Sequence, residues 1–116
     1  MSDITIYHNP RCSKSRQTLA LLQEKGIEPV VVEYLKDTPD AATLKDVIGK
    51  LGISPRELLR TKEAEYKEHG LNDTSVSDEA IVSAMIASPK LIERPIVIHG
   101  DQARIGRPPE QVLEII

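Results

Sequence analysis

The sequence has little cysteine, few aromatic residues and no long apolar run. Cys12 is the 1 cysteine among 116 residues, which excludes an intramolecular disulfide and a zinc site built from cysteines. With no Phe, no Trp and 3 Tyr, the aromatic platforms on which single-stranded nucleic acid stacks are scarce. No apolar stretch approaches the roughly 20 residues of a membrane span, and the N-terminus lacks the features of a secretion signal. These absences predict a protein of the reducing cytoplasm with one thiol available for chemistry.

An excess of positive charge is also absent. The 15 Lys and Arg residues against 18 Asp and Glu residues give a net charge of -3 at pH 7, which argues against binding to the nucleic acid backbone or to an anionic membrane. Any anion site must therefore be local. With 40% hydrophobic and 28% charged residues, the chain is expected to fold as a single domain over residues 1–116.

The first part of the chain predicts a strand, a helix and a second strand. Residues 4–8 are mostly β-branched and end at an Asn-Pro pair, which is typical of a buried strand entering a turn. Helical periodicity then begins at Ser13 and stops at Gly26, and residues 29–34 predict the second strand. The length of this segment, residues 4–34, fits a βαβ unit, which is expected to be right-handed. Cys12 would lie between the first strand and the helix.

The rest of the chain predicts a helical insertion at about residues 40–90, followed by a hairpin. Residues 40–51 and 77–87 have helical periodicity, with Asp40 and Ser77 as expected N-caps. Residues 95–99 and 102–106 predict two antiparallel strands around the turn at Gly100, and a closing helix is expected from Pro109 to Ile116. The fold class is therefore α/β, with the order βαβ, helices, ββα.

The position of Cys12 favours a reactive thiol, although a lone cysteine is most often a small buried hydrophobe. The N-H groups and the macrodipole at the start of a helix favour the thiolate, and nearby cations lower the pKa of a thiol further. Arg11, Lys14 and Arg16 are close in sequence, but they could equally be solvated. His8 could add a hydrogen bond or a positive charge to the thiol, or it could be a satisfied residue at the strand end.

Four sequence segments together resemble one known family. They are residues 7–16 (YHNPRCSKSR), 58–60 (LLR), 91–97 (LIERPIV) and 105–108 (IGRP). In this order they are similar to the motifs of the thioredoxin-fold arsenate reductases that depend on glutathione and glutaredoxin. The resemblance covers essentially the whole chain. It implies a thioredoxin-like, glutaredoxin-like mixed four-stranded sheet with a helical insertion between its two halves.

The resemblance also implies an active site. The family's cysteine attacks arsenate and three arginines hold the oxyanion, and the matching residues here are Cys12, Arg60, Arg94 and Arg107. Planar guanidinium groups suit this task because they bind oxyanions bidentately and neutralise charge as a thiolate approaches. Read individually, each arginine could instead be a surface residue or a partner of a nearby glutamate, namely Glu57, Glu93 or Glu110.

Pro95 resembles the cis-proline that precedes a strand facing the nucleophile in thioredoxin-like folds. A cis bond there would place the Arg94 backbone beside Cys12, whereas the alternative is a trans proline opening an edge strand. Arg104 and Lys14 are further candidates for the anion pocket, although a hairpin arginine and a lysine at a helix start are more often solvated.

One thiol cannot complete the reduction of arsenate to arsenite, which needs two electrons. We therefore expect glutathione to act as a co-substrate and to leave a mixed disulfide on Cys12, and glutaredoxin to regenerate the thiol. Neither a metal nor a bound organic cofactor is expected. The partners predicted from the sequence are thus arsenate or a similar oxyanion, glutathione and glutaredoxin.

Two other functions fit the same fold class. The residues Arg11 to Arg16 around the cysteine differ from the loop of the best known arsenate reductases, which points to a subgroup of the family. One alternative is a monothiol oxidoreductase, similar to glutaredoxins, that acts on glutathionylated substrates. The other is a regulator similar to Spx that binds RNA polymerase without catalysis. Spx senses oxidation through a Cys-x-x-Cys pair, and Ser15 occupies the second position here.

Overall fold

The computed structural model of the chain describes residues 3–116. A βαβ segment is followed by three α-helices and then by two strands. The elements are β1 Ile4–Tyr7, α1 Ser13–Glu24, β2 Val30–Val32, α2 Ala41–Leu51, α3 Ala64–Glu68, α4 Asp78–Ala87, β3 Ile96–His99 and β4 Gln102–Ile105. Short 3-10 helices span Pro55–Leu58, Pro89–Leu91 and Pro109–Ile115. Among residues 3–116, no helix is both long enough and apolar enough to cross a membrane.

The single domain expected from the sequence divides into two compact units. The sheet unit is the chain up to Asp37 together with Arg94–Ile116, and the helical unit is Thr38–Glu93. The helical unit coincides with the predicted insertion. It separates because its helices contact one another, with α2 and α4 packed together and α4 packed on the 3-10 helix Pro55–Leu58.

The sheet unit contains a mixed four-stranded sheet in the order β2-β1-β3-β4. β1 runs parallel to β2, whereas β3 is antiparallel to both β1 and β4. One cluster of its core is aliphatic and contains Ile4, Ile6, Leu22, Val97, Val112 and Ile115. The unit also buries two of the three tyrosines, Tyr7 and Tyr34. The predicted hairpin is confirmed, with Gly100 at a φ of 61° in the turn where a left-handed residue is needed.

The helix starts follow the sequence closely. The Asp40 carboxylate accepts the N-H of Thr43 at 2.8 Å, and the Ser77 hydroxyl accepts the N-H of Ala80 at 3.2 Å. These bonds satisfy amides that the first turn leaves without helical partners. Both predicted N-caps are therefore confirmed.

The predicted closing helix is corrected to a 3-10 helix, Pro109–Ile115. Its buried residues are Pro109, Val112 and Ile115. They recur every third position, which matches the three residues per turn of a 3-10 helix rather than the 3.6 of an α-helix. The apolar pattern indicated a helix correctly, but the spacing selects the tighter form.

Candidate active site

Cys12 is the N-cap of α1, so the thiol lies where β1 has ended and the helix begins. The loop between them is held by two backbone amides that donate to Asn9: the N-H of Cys12 donates to the Asn9 carbonyl at 3.0 Å, and the N-H of Arg11 donates to the side-chain Oδ1 of Asn9 at 3.0 Å. The Cys12 residue is partly exposed. A thiol in this place is fixed in position and still accessible to a ligand.

The pKa of the Cys12 thiol is lowered from its ordinary value. Burial acts in the opposite direction and raises it, but the backbone N-H of Ser15, the hydrogen bond and charge of the Arg94 guanidinium, and the backbone N-H of Lys14 together outweigh burial. Each of these groups stabilises negative charge on sulfur. Because the thiolate is the nucleophilic form of cysteine, the site favours the reactive state.

A second arginine also contacts the sulfur. Arg107 Nη2 lies 3.7 Å from Cys12 Sγ, while Arg107 Nε donates to the backbone carbonyl of Arg94 at 2.8 Å. The second bond ties the two arginine-bearing loops to each other. The peptide bonds Arg94-Pro95 and Arg107-Pro108 are both cis. Cys12, Arg94 and Arg107, which are distant in sequence, therefore meet within the sheet unit.

A cluster of buried polar residues adjoins the loop that carries Cys12. Ser15 Oγ accepts the N-H of Asn9 at 3.0 Å and is hydrogen-bonded to His8 Nδ1 at 2.6 Å. Ser15 is fully buried, and His8 and Asn9 are 6% and 8% exposed. The hydroxyl thus fixes the loop that carries Cys12, while the amide of the same serine stabilises the thiolate. For His8 the sequence left open a direct role at the thiol or a satisfied position at the strand end, and the structure shows its ring hydrogen-bonded to Ser15.

Replacing Ser15 by alanine should destabilise the protein by about 1–3 kcal/mol. The change leaves the Asn9 N-H and the His8 ring without a partner in a buried place, and burial of unsatisfied polar groups carries a cost of this size. Urea unfolding at pH 7 measures the loss. Ser13→Ala, at an exposed position two residues earlier, is the matched control. A free energy of unfolding for Ser15→Ala within about 0.5 kcal/mol of the wild type would contradict this account.

The pKa of the His8 imidazole is lowered from the ordinary 6.5. Burial is the main cause because it disfavours the charged ring; the Glu33 carboxylate opposes it, and the Arg16 charge adds to it. His8 is therefore neutral at pH 7. The unfolded chain binds its proton near pH 6.5, whereas the folded chain resists protonation to lower pH. The stability that neutral His8 confers is thus present above pH 6.5 and is lost as the pH falls through the lowered value.

We expect the free energy of unfolding to fall between about pH 7 and pH 5, and to fall less in a His8→Gln variant. Urea unfolding at both pH values measures the difference. The variant retains the carboxylates that titrate in the same interval, so the comparison isolates the histidine. Equal losses of stability in the two proteins would show that His8 titrates normally in the folded state.

Arg60 lies in the helical unit, and its guanidinium is already bound to carboxylates. Arg60 Nη1 donates to Glu93 Oε1 at 2.7 Å, and Arg60 Nε donates to Glu63 Oε2 at 3.2 Å. Burial lowers the pKa of Arg60, but the two glutamates outweigh it and raise the pKa. One of the alternatives considered from the sequence, a partner in Glu93, is thus present. The two carboxylates compensate the charge that would attract an oxyanion.

The two weaker candidates have other contacts. Arg104 Nε donates to Glu114 Oε1 at 2.9 Å, and its Nη1 donates to the Ala103 carbonyl at 2.8 Å. The bond to Glu114 links β4 to the last 3-10 helix, and the other stays within β4. The Lys14 residue is exposed, and its backbone rather than its ammonium group interacts with the Cys12 sulfur. Within residues 3–116, the contacts described for these two side chains do not place either of them at the anion site.

The sequence analysis did not predict that α1 buries polar residues. The leucines of α1 behave as its helical periodicity predicts, since Leu22 is buried and Leu19 and Leu21 pack against the core, but the helix also buries Ser15 and Thr18. The spacing of three and four between Ser15, Thr18 and Leu22 places them on one side of the helix. A serine and a threonine at these intervals after a cysteine at a helix start were a signal that could have been read.

The class of protein follows from this arrangement. A four-stranded sheet in the order β2-β1-β3-β4, with a cysteine at the start of the helix after β1, is a thioredoxin-like fold with a thiol active site. The sequence model of the ArsC family matches residues 7–115. The chain therefore belongs to the ArsC family.

Known relatives agree with the assignment. The chain is 61% identical over 114 residues to a protein of Escherichia coli named Uncharacterized protein YfgD, covering 97% of this chain and 96% of that one. It is 49% identical over 114 residues to Arsenate reductase of Haemophilus influenzae, covering 97% and 98%. The solved structure of Arsenate reductase from Vibrio cholerae superimposes with a TM-score of 0.95 at 54% identity, covering 97% of each chain. Both the fold and the oxidoreductase class expected from the sequence are confirmed.

Proposed function

We propose that this protein is an arsenate reductase that uses Cys12 as its nucleophile and glutathione as the source of electrons. The single observation that carries the proposal is the convergence of Arg94 and Arg107 on the Cys12 sulfur. Two guanidinium groups beside a thiolate suit a substrate that is both an anion and an electrophile. The names of the relatives at 49% and 54% identity support arsenate as that substrate.

The first step is attack on arsenic. Arg94 and Arg107 hold the oxyanion and reduce its repulsion from the thiolate, as fork-shaped cations do for tetrahedral oxyanions. Cys12 then displaces one oxygen of arsenate, which leaves as water after taking up protons, and an S-As(V) bond forms. Arg60 is assigned to the oxyanion by family resemblance alone. Since Glu63 and Glu93 already neutralise it, we propose a smaller contribution from Arg60 than from the other two arginines.

The second step transfers the electrons. The glutathione thiolate attacks the Cys12 sulfur, the S-As bond breaks, and its electron pair stays on arsenic, which is reduced from As(V) to As(III) and released as arsenite. The two thiols are oxidised together to a mixed disulfide, so two electrons are balanced. A glutaredoxin thiol then takes the glutathione by exchange and restores Cys12. The scheme uses neither a metal nor a bound cofactor and requires a reducing compartment, for which we propose the cytoplasm.

A coupled assay tests the proposal. Arsenate-dependent NADPH oxidation is measured with glutathione, glutaredoxin and glutathione reductase. We expect turnover that needs both arsenate and glutathione. Turnover of a glutathionylated peptide in the absence of arsenate, with none on arsenate, would replace the proposal with a glutaredoxin-like activity. A protein inactive on both substrates would refute catalysis and leave a binding role.

A further inference from the structure

Gly106 lies at a point where a side chain has no room. A Cβ atom added to Gly106 would be 2.5 Å from Thr18 Oγ1, 2.9 Å from Pro95 Cγ and 3.1 Å from Thr18 Cγ2. Real Cβ contacts essentially never fall below 3.0 Å. By contrast, a Cβ at Gly49 would meet nothing within 4 Å. Gly106 does not have a positive φ, so space rather than backbone conformation requires glycine there.

The atoms around Gly106 have little freedom to move away. Thr18 is fully buried, and its hydroxyl donates to the Lys14 carbonyl at 2.8 Å. Pro95 is also buried, and its ring is rigid. The N-H of Gly106 donates to the Pro95 carbonyl at 2.9 Å, which holds the two backbones together. A methyl group at Gly106 would therefore have to displace the backbone on one side or both.

The three elements that meet at Gly106 each carry one part of the active site. Arg107 follows Gly106 directly, Arg94 precedes Pro95 directly, and Thr18 is on the helix that Cys12 caps. The Arg107 Nε bond to the Arg94 carbonyl, 2.8 Å long, lies beside this junction. A displacement at Gly106 would thus change the positions of the thiol and of both guanidinium groups.

We propose that Gly106 is a positioning residue of the active site: its missing side chain lets the Arg107 loop approach Pro95 and Thr18 closely enough for both arginines to face Cys12. Gly106 does not touch the substrate and acts through Arg94 and Arg107. The kinetic part of this inference rests on the proposed arsenate reduction. The placement of the arginines against the thiol is tested without it.

The test compares Gly106→Ala with Gly49→Ala, an exposed glycine of α2, in two measurements on the full chain. The first is the pH titration of thiolate absorbance, read below the pH at which the 3 tyrosines ionise, where it reports Cys12 as the 1 cysteine of the chain. The second is the KM for inorganic arsenate at saturating glutathione. We expect Gly106→Ala to raise the pKa of the thiol toward its ordinary value and to raise the KM by roughly tenfold to a hundredfold, as misplacement by about 1 Å can. Gly49→Ala should change neither.

A second variant separates positioning from folding. Thr18→Ala/Gly106→Ala removes the two threonine atoms nearest the added methyl group, with Thr18→Ala alone as its reference. The double variant should recover much of the thiol titration and of the arsenate KM. A folded Gly106→Ala with wild-type values, or losses that Thr18→Ala does not relieve, would overturn the proposal. Failure of both Gly106→Ala and the double variant to fold would also overturn it, because Gly106 would then serve folding itself.

The two proposals fail in different ways. If the wild type does not reduce arsenate, the proposed function is refuted, whereas the titration still decides the role of Gly106. If the wild type is active and Gly106→Ala leaves both measurements unchanged, only the positioning role is refuted.

Discussion

Cys12→Ser should abolish arsenate-dependent NADPH oxidation, with a loss of at least roughly a thousandfold, as expected when a covalent nucleophile is removed. The serine hydroxyl stays protonated at neutral pH even with Arg94 and Arg107 beside it, whereas the cysteine thiol has a lowered pKa. A serine oxygen also cannot form the mixed disulfide that carries the two electrons. The defect is therefore chemical and does not depend on the affinity for arsenate.

The fold of Cys12→Ser should remain intact, since Cys12 is only partly buried and its backbone bonds do not depend on sulfur. Thermal unfolding close to that of the wild type is the control. Substantial glutathione-dependent turnover by this folded variant would contradict the nucleophilic role of Cys12.

Arg94→Ala should lower kcat/KM for arsenate by about a hundredfold or more, which is comparable to the loss when one hydrogen-bond donor to a developing oxyanion is removed. The residue acts twice, because it lowers the pKa of the Cys12 thiol and is placed to hold the oxyanion. The variant should therefore also raise the pKa of the thiol. Arg94→Lys should recover part of the activity, since it keeps the charge but loses the planar fork.

Arg104→Ala is the matched control for Arg94→Ala. Arg104 is also an arginine of the sheet unit, but it is paired with Glu114 at 2.9 Å. Its loss should leave kcat/KM and the thiol titration close to wild type. Equal losses in the two variants would mean that general positive charge, rather than the placement of Arg94, supports the reaction.

The strands and the larger helices could be predicted because local patterns determine them. The β-branched run of β1, the aliphatic β3 and the caps Asp40 and Ser77 behave in the structure as their sequence indicates. The helical insertion at about residues 40–90 was predicted, but as part of one domain; its separation as a compact unit depends on which helices contact one another. Composition and length describe the whole chain and do not contain this information.

The active site could be predicted only in part. The position of Cys12 at the start of α1 follows from a strand ending before a helix begins. The meeting of Cys12 with Arg94 and Arg107 depends on the pairing of β1 with β3 and of β3 with β4, over separations that no local pattern specifies. Family resemblance identified these two arginines, but it gave no sign that Arg60 is neutralised by Glu63 and Glu93.

The buried neighbours of the nucleophile are the part that sequence reasoning missed. Ser15 and Thr18 are polar residues that an amphipathic reading assigns to the solvent side of a helix. They are buried because each satisfies its hydroxyl internally, Ser15 with Asn9 and His8, and Thr18 with the Lys14 carbonyl. The need for glycine at position 106 likewise arises from the approach of Thr18 and Pro95, which only the folded chain brings together.

The most direct test of the central claim is the intact mass of the protein after incubation with arsenate and glutathione in the absence of glutaredoxin. The mechanism predicts that one glutathione accumulates on Cys12 as a disulfide, that it forms only when arsenate is present, and that arsenite appears in equal amount. Added glutaredoxin should remove it. Arsenite produced with no modification of Cys12, or a glutathione adduct that forms equally without arsenate, would contradict the account.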